Sequence, residues 1–233
     1  MKTDTVELFG CIIVLTTTLS AIGLIFAAFM SIRRGWKFFW QNAIVLTFLI
    51  ADAIFSYCVF YPQILLRSGP IVPDGTELLF CFVAPVIIIV VSLCTWGYLR
   101  EFNDDMPLAW TISPQIFRAI GGIFIAYWWV GLMPGGFAIP AGIGDLIVGI
   151  SAPFVACALN SGKCRRDFLI AWNLFGILDF IVAFTMGFLL NTPSKYPLVL
   201  IPGLLVPIAL GFHAYSLRKL FNGQNVQLDF QRA

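Results

Sequence analysis

The sequence predicts an all-α integral membrane protein, a bundle of seven transmembrane helices with its N-terminus outside and its C-terminus in the cytoplasm. Three observations carry this expectation. Of 233 residues, 60% are apolar and only 11% charged, against about 25% charged in soluble domains. The mean hydropathy is +0.92, so too few charged side chains remain to cover the outside of a soluble core. Seven apolar runs are each long enough to cross ~30 Å of hydrocarbon at ~1.5 Å per residue. Soluble enzymes, disordered tails and nucleic-acid binders are thereby excluded. The net charge of +2 gives no general field for polyanions.

The first helix is placed at Val6 to Met30. It reads as an uncleaved span, because its run is too long for a secretory signal, Asp4 and Glu7 precede it, and the basic cluster follows it. The second and third spans, Phe38 to Phe60 and Glu77 to Arg100, carry Trp40 and Trp96 near one end. The fourth, Ser113 to Leu132, ends on Trp128 and Trp129. The fifth, Ala138 to Ala158, and the sixth, Asp167 to Leu190, carry stripes of small residues. The seventh, Pro197 to Lys219, contains Pro202 and Pro207. Ends are placed to within about three residues. Strand alternation is absent, and a spanning segment must satisfy its own backbone hydrogen bonds, which these runs do as helices. Residues 1–219 form one domain and residues 220–233 a short polar cytoplasmic tail, with no room for a soluble catalytic domain.

Charge sets the direction. Arg33, Arg34, Lys37, Arg100, Arg118, Lys163, Arg165, Arg166, Arg218, Lys219 and Arg232 fall on one side; Lys2, Arg67 and Lys195 fall on the other. The positive-inside bias makes the richer side cytoplasmic, and the tryptophans sit near the ends where an aromatic belt requires them.

Three aspartates lie within the spans: Asp52, Asp145 and Asp179. A carboxylate near a helix centre costs roughly 2.5–3.5 kcal/mol on insertion scales, so packing or function must retain each one. Asp145 is placed ~10 Å from the outer end of its helix, Asp52 ~12 Å and Asp179 ~16 Å, which puts them in one layer. In the fifth span Ala138, Ala141, Asp145, Gly149 and Ala152 share a face; in the sixth Asn173, Gly176, Asp179, Ala183 and Gly187 do. Small stripes build membrane helix interfaces, so Asp145 and Asp179 are expected to point into the bundle. Pro140 and Pro153 in the fifth span, with Pro202 and Pro207 in the seventh, remove backbone donors and can bend their helices.

His213 and Asn173 are each placed ~9 Å above the inner end of their helices, where they could meet. By this placement Arg118 belongs to the inner rim and no Lys or Arg lies deep in a span. Clustered acids would then share a proton or a cation. The bland alternative is that each aspartate is interhelical glue, bonded to a carbonyl or to a neighbouring hydroxyl or amide.

The six cysteines, Cys11, Cys58, Cys81, Cys94, Cys157 and Cys164, form no CxxC pair, so no zinc or redox motif is expected. Cys58 and Cys81 flank the second connection near the outer face, where a disulfide is open to them. The topology matches that of opsins, but Lys195 and Lys219 bracket the last helix where a retinal Schiff base needs a lysine within it. Receptor motifs are missing from Tyr98 to Glu101 and from Pro202 to Tyr215, and a single histidine fits no seven-helix zinc hydrolase. No family follows from topology alone.

The leading expectation is a small proton- or cation-linked transporter or channel-like carrier, with its substrate or ion path along Asp52, Asp145, Asp179, Asn173 and His213. The alternative is a non-catalytic sensor or accessory subunit that binds a lipid-like ligand, a partner membrane protein or another copy of itself. An intramembrane enzyme ranks third, because upright helices separate His213 from Asp145 by ~14 Å along the membrane normal, too far for one metal ion. No cofactor or nucleic-acid partner is expected. The location is the cell membrane, and the lack of an Asn-x-Ser/Thr acceptor agrees with a bacterial one.

Overall fold

The computed structural model describes residues 2–31, 87, 107–192 and 198–222. Among them every regular element is helical and no strand occurs. Helix α1 is Lys2–Ser31. The fourth segment is one helical rod built from α2 (Ala109–Ile112), a 3₁₀ stretch (Ser113–Gly121) and α3 (Gly122–Trp129). Helix α4 is Gly135–Asn160 and α5 is Arg166–Leu189. A π-helical turn, Ile201–Leu205, leads into α6, Val206–Asn222. Apart from Ile87, the expected second and third spans lie outside the described residues, and with them Asp52, Cys58 and Cys81; so does the tail from residue 223.

Two described helices, α4 and α5, are long and apolar enough to cross a membrane. Their bounds fall within three residues of the expected fifth and sixth spans. The fourth segment departs further, since it becomes helical at Ala109 and not at Ser113. Pro114 at the start of the 3₁₀ stretch cannot donate a main-chain bond, but Leu108 to Ile112 are a good apolar turn that carries the helix back past it.

Three of the turns close in one way. Gly131 (φ +78°), Gly162 (φ +66°) and Asn191 (φ +45°) adopt the left-handed conformation after α3, α4 and α5. The next N–H in each case bonds back five residues: Leu132 to Tyr127, Lys163 to Ala158 and Thr192 to Gly187, at 2.8–2.9 Å. This is the Schellman motif, which satisfies the last carbonyls of a helix and turns the chain sharply into the next one. The prolines act unequally. Helix α4 runs unbroken through Pro140 and Pro153, whereas Pro202 lies in the π turn and Pro207 in the first turn of α6, where its missing N–H costs little.

Consecutive segments run antiparallel and close. Ala119 backbone fills the space in front of Gly149, and Gly10 of α1 lies against Tyr127 and Ile123 of α3. The interior separates into two apolar clusters. One gathers Phe117, Ile123, Phe124, Ala138, Ala141, Phe180, Leu204 and Ile208; the other gathers Leu108, Ile112, Val148, Ala152, Leu169, Trp172 and Leu220. Asp145, Asp179 and His213 each fall, along their own helices, between members of the two.

The outside is apolar where the inside is charged. Ile143, Ile147, Ile150 and Phe154 of α4 and Leu174, Leu178, Ile181 and Phe188 of α5 are exposed, while Arg118, Asp145, Asn173, Asp179 and His213 are buried. In water, leaving eight such side chains uncovered would forgo about 1.5–3 kcal/mol each. Internal hydrogen bonds return only about 1 kcal/mol apiece. In hydrocarbon the exposed faces carry no such penalty, which agrees with α4 and α5 being long and apolar enough to cross a membrane.

Candidate functional site

The centre of the polar layer is Arg118. It lies nine residues from the start of α2, a depth of about 16 Å with the longer rise of the 3₁₀ stretch. It is 2% exposed. Its Nε donates to Asp145 Oδ1 of α4 at 2.8 Å and its Nη2 to Asp179 Oδ2 of α5 at 2.5 Å. Its Nη1 donates to the Gly176 carbonyl at 3.3 Å and meets His213 Nε2 of α6 at 3.0 Å. The Phe180 ring lies against the guanidinium face, 3.9 Å from ring centroid to Cζ. Four of the five N–H groups of the guanidinium are therefore engaged, and a cation–π contact holds its plane.

Arg118 lies in the core and not at the expected inner rim. The sequence reading began the helix at Ser113, which leaves Arg118 only five residues in; the four helical residues before it carry the guanidinium into the core. The acids do not lack a cationic neighbour. The same kind of shift brings His213 and Asp145 together. Helix α4 begins at Gly135, three residues before Ala138, and α6 continues to Asn222, three beyond Lys219. Each side chain is thus about 4.5 Å deeper than expected. Most of the expected ~14 Å separation disappears, and one guanidinium spans the rest.

The expected meeting of His213 and Asn173 does occur, with Nδ1 and Oδ1 2.9 Å apart. Donor arithmetic fixes the roles. Asn173 Nδ2 donates to the Leu169 carbonyl at 2.7 Å, so its Oδ1 is the acceptor for His213. Arg118 has no acceptor, so His213 Nε2 must accept from it. The imidazole is therefore the Nδ1–H tautomer, fixed from both sides. Trp172, whose Nε1 donates to Ser151 Oγ at 2.9 Å, packs beside it with ring centroids 5.4 Å apart.

The expected fifth-span face points inward, with Ala138, Ala141, Asp145, Gly149 and Ala152 all buried; of the sixth-span face Asn173, Gly176 and Asp179 are buried, while Ala183 and Gly187 are only half-buried. Four of the five expected site residues thus form one network; Asp52 lies outside the described residues. Gly144, Gly121 and Phe180, which also shape the site, were not singled out by the sequence, and Arg118 was misplaced. The signal for Arg118 was the apolar run from Leu108 to Ile112, which extends the helix toward its N-terminus.

The electrostatics reduce to a count. One guanidinium faces two carboxylates, and the histidine tautomer adds no charge. With both acids ionised the cluster carries one negative charge in excess, which a proton on either acid or one monovalent cation would cancel. Among the described residues no three His, Cys, Asp or Glu side chains are grouped to hold a metal ion.

No curated protein and no solved structure matches this chain. A family model matches residues 76–221, more than half of the sequence, and Arg118, Asp145, Asn173, Asp179 and His213 all fall inside that stretch. The chain belongs to the family described as Domain of unknown function (DUF8737).

Proposed function

We propose that this chain is a seven-span carrier of the cell membrane that exchanges a proton or a monovalent cation at the Arg118–Asp145–Asp179–His213 cluster. The observation that carries the reading is the unequal pairing of one buried guanidinium with two buried carboxylates. A charge imbalance inside hydrocarbon is expensive, and the species that settles it is the species a carrier could move. Arg118 gives this exchange a counter-charge that does not leave the protein, because the bound cation and the guanidinium compete for the same carboxylate oxygens.

The N-out, C-in direction is supported by charge. Lys163, Arg165, Arg166, Arg218 and Lys219 gather at one end, where Arg166 Nε donates to the Leu220 carbonyl at 3.1 Å and joins the α4–α5 turn to the end of α6. The described residues at the opposite turns, 130–135 and 190–192, carry no charge.

The test is flux. Wild-type protein in proteoliposomes should dissipate an imposed proton or sodium gradient, and Asp145→Asn and Asp179→Asn should insert and abolish that flux. Wild-type flux in both variants rejects the carrier. If a stoichiometric membrane protein or lipid also co-purifies in mild detergent, the assignment passes to an accessory subunit.

A further inference from the structure

We propose that buried water occupies the interior beside Gln115 and Ser216 and extends the polar layer from His213 toward the basic end of the bundle. Both side chains are 0% exposed. Gln115 Nε2 donates to the Ala209 carbonyl at 3.1 Å, but its Oε1 has no hydrogen-bond partner among the described residues, and neither has Ser216 Oγ. Each orphaned buried polar group costs about 1–3 kcal/mol, and a water molecule with a few polar partners removes that cost.

Ser216 differs from several other hydroxyls on these helices. Thr16, Thr18, Thr185 and Ser161 each donate to a carbonyl of their own helix at 2.7–2.8 Å. Ser216 does not, although the same i−4 bond is open to any serine in a helix.

The two oxygens belong to one place. Ala209, His213 and Ser216 recur at four and three residues on one stripe of α6, and a helical carbonyl points toward the residue four positions on. Gln115 on the Ala209 carbonyl is therefore level with His213, and Ser216 is one turn nearer the basic end, about 5 Å away. Apolar clusters flank the network on both sides, and the two orphaned oxygens belong to the side of Leu108, Ile112 and Leu220 and not to that of Ile123, Phe124, Leu204 and Leu205. The hydrated side is the one that leads toward Lys219. That this water is the entry for the exchanged proton or cation rests on the carrier reading; the water itself does not.

Radiolytic hydroxyl-radical footprinting of the full chain in lipid nanodiscs tests this, because radicals form from bound water at the site itself. Tyr215, beside Ser216, and Tyr127, in the opposite half, are both 4% exposed. Oxidation of His213 and Tyr215 should run several-fold faster than that of Tyr127. The double variant Gln115→Leu, Ser216→Ala should bring it down to the Tyr127 rate. Equal rates in the wild type overturn the proposal, as does an unchanged rate in a folded double variant. If that variant does not fold, the wild-type contrast alone decides. Fast His213 and Tyr215 oxidation in a protein that moves no proton or cation would keep the water and remove the carrier.

Discussion

The carboxylate of Asp179 fills the space that a Cβ on Gly144 would occupy, and the same carboxylate accepts from Arg118. Gly121 stands in the same relation to Asp145, and Gly176 to His213, with Arg118 Nη1 3.0 Å from where its Cβ would lie. Asp145, Asp179 and His213, the three polar side chains that hold Arg118, are thus each seated on a glycine of a neighbouring helix. Charged side chains in this bundle are positioned by backbone contact, which leaves little room for water at the ion pairs themselves.

That relation predicts opposite outcomes for two glycines of α5. Gly176→Ala should drive its new methyl into His213 and Arg118, at an overpacking cost of about 1–3 kcal/mol. Gly187→Ala meets only Phe137, at 3.4 Å, and should be neutral or stabilising by up to about 1 kcal/mol, because alanine is the better helix former. Thermal unfolding in one detergent compares them. Equal midpoints would mean that the cluster does not depend on the α5–α6 approach.

A second prediction concerns charge balance. Arg118→Leu leaves two buried acids without a partner and should destabilise by about 3–5 kcal/mol, the usual cost of breaking a buried pair. The triple variant Arg118→Leu, Asp145→Asn, Asp179→Asn removes every formal charge and should recover most of that loss. Denaturant or thermal unfolding of the wild type and the two variants reads the recovery. Failure of the neutral triple to recover would mean that Arg118 acts through its packing on Phe180 and not through its charge.

The sequence made the helical class legible through composition and run length, and it made two described spans legible almost residue by residue, because α4 and α5 begin after Pro134 and Arg165 and close on Gly162 and Asn191. The inward faces of Asp145 and Asp179 and the meeting of Asn173 with His213 followed from helical spacing. What did not follow was the third dimension of depth. A shift of three or four residues at a helix end moves a side chain by about 5 Å. That distance decides whether Arg118 belongs to a rim or to a core. The seating glycines were equally hidden, since a small residue announces a close approach but not which side chain fills it.

Cysteine chemistry supplies a third prediction, at the α4–α5 turn. Cys164 is buried there, 8% exposed, and burial pushes its thiol above the ordinary value. A raised thiol pKa means less thiolate at neutral pH, and thiolate is the reactive form. Maleimide labelling at Cys164 in detergent should therefore be slower than that of a small free thiol at neutral pH, and should climb as pH rises through the ordinary thiol range and beyond it. Labelling as fast as free thiol would show that the turn opens and that the burial is not maintained.

The last prediction follows from the donor arithmetic around His213. Its Nε2 faces an Arg118 N–H at 3.0 Å and its Nδ1 faces the Asn173 carbonyl oxygen at 2.9 Å. A hydrogen on Nε2 would point at another hydrogen, and arginine gives up none of its own. Nitrogen-15 NMR of selectively labelled protein should show one protonated Nδ1 and one bare Nε2. Asn173→Ala removes the acceptor for Nδ1 and leaves Arg118 in place, so the tautomer should persist with an altered Nδ1 shift. Arg118→Leu removes the reason for a bare Nε2, and there the two tautomers should mix. An Nε2–H tautomer or an imidazolium in the wild type would contradict the Arg118–His213 bond, and with it the claim that four helices converge on one guanidinium.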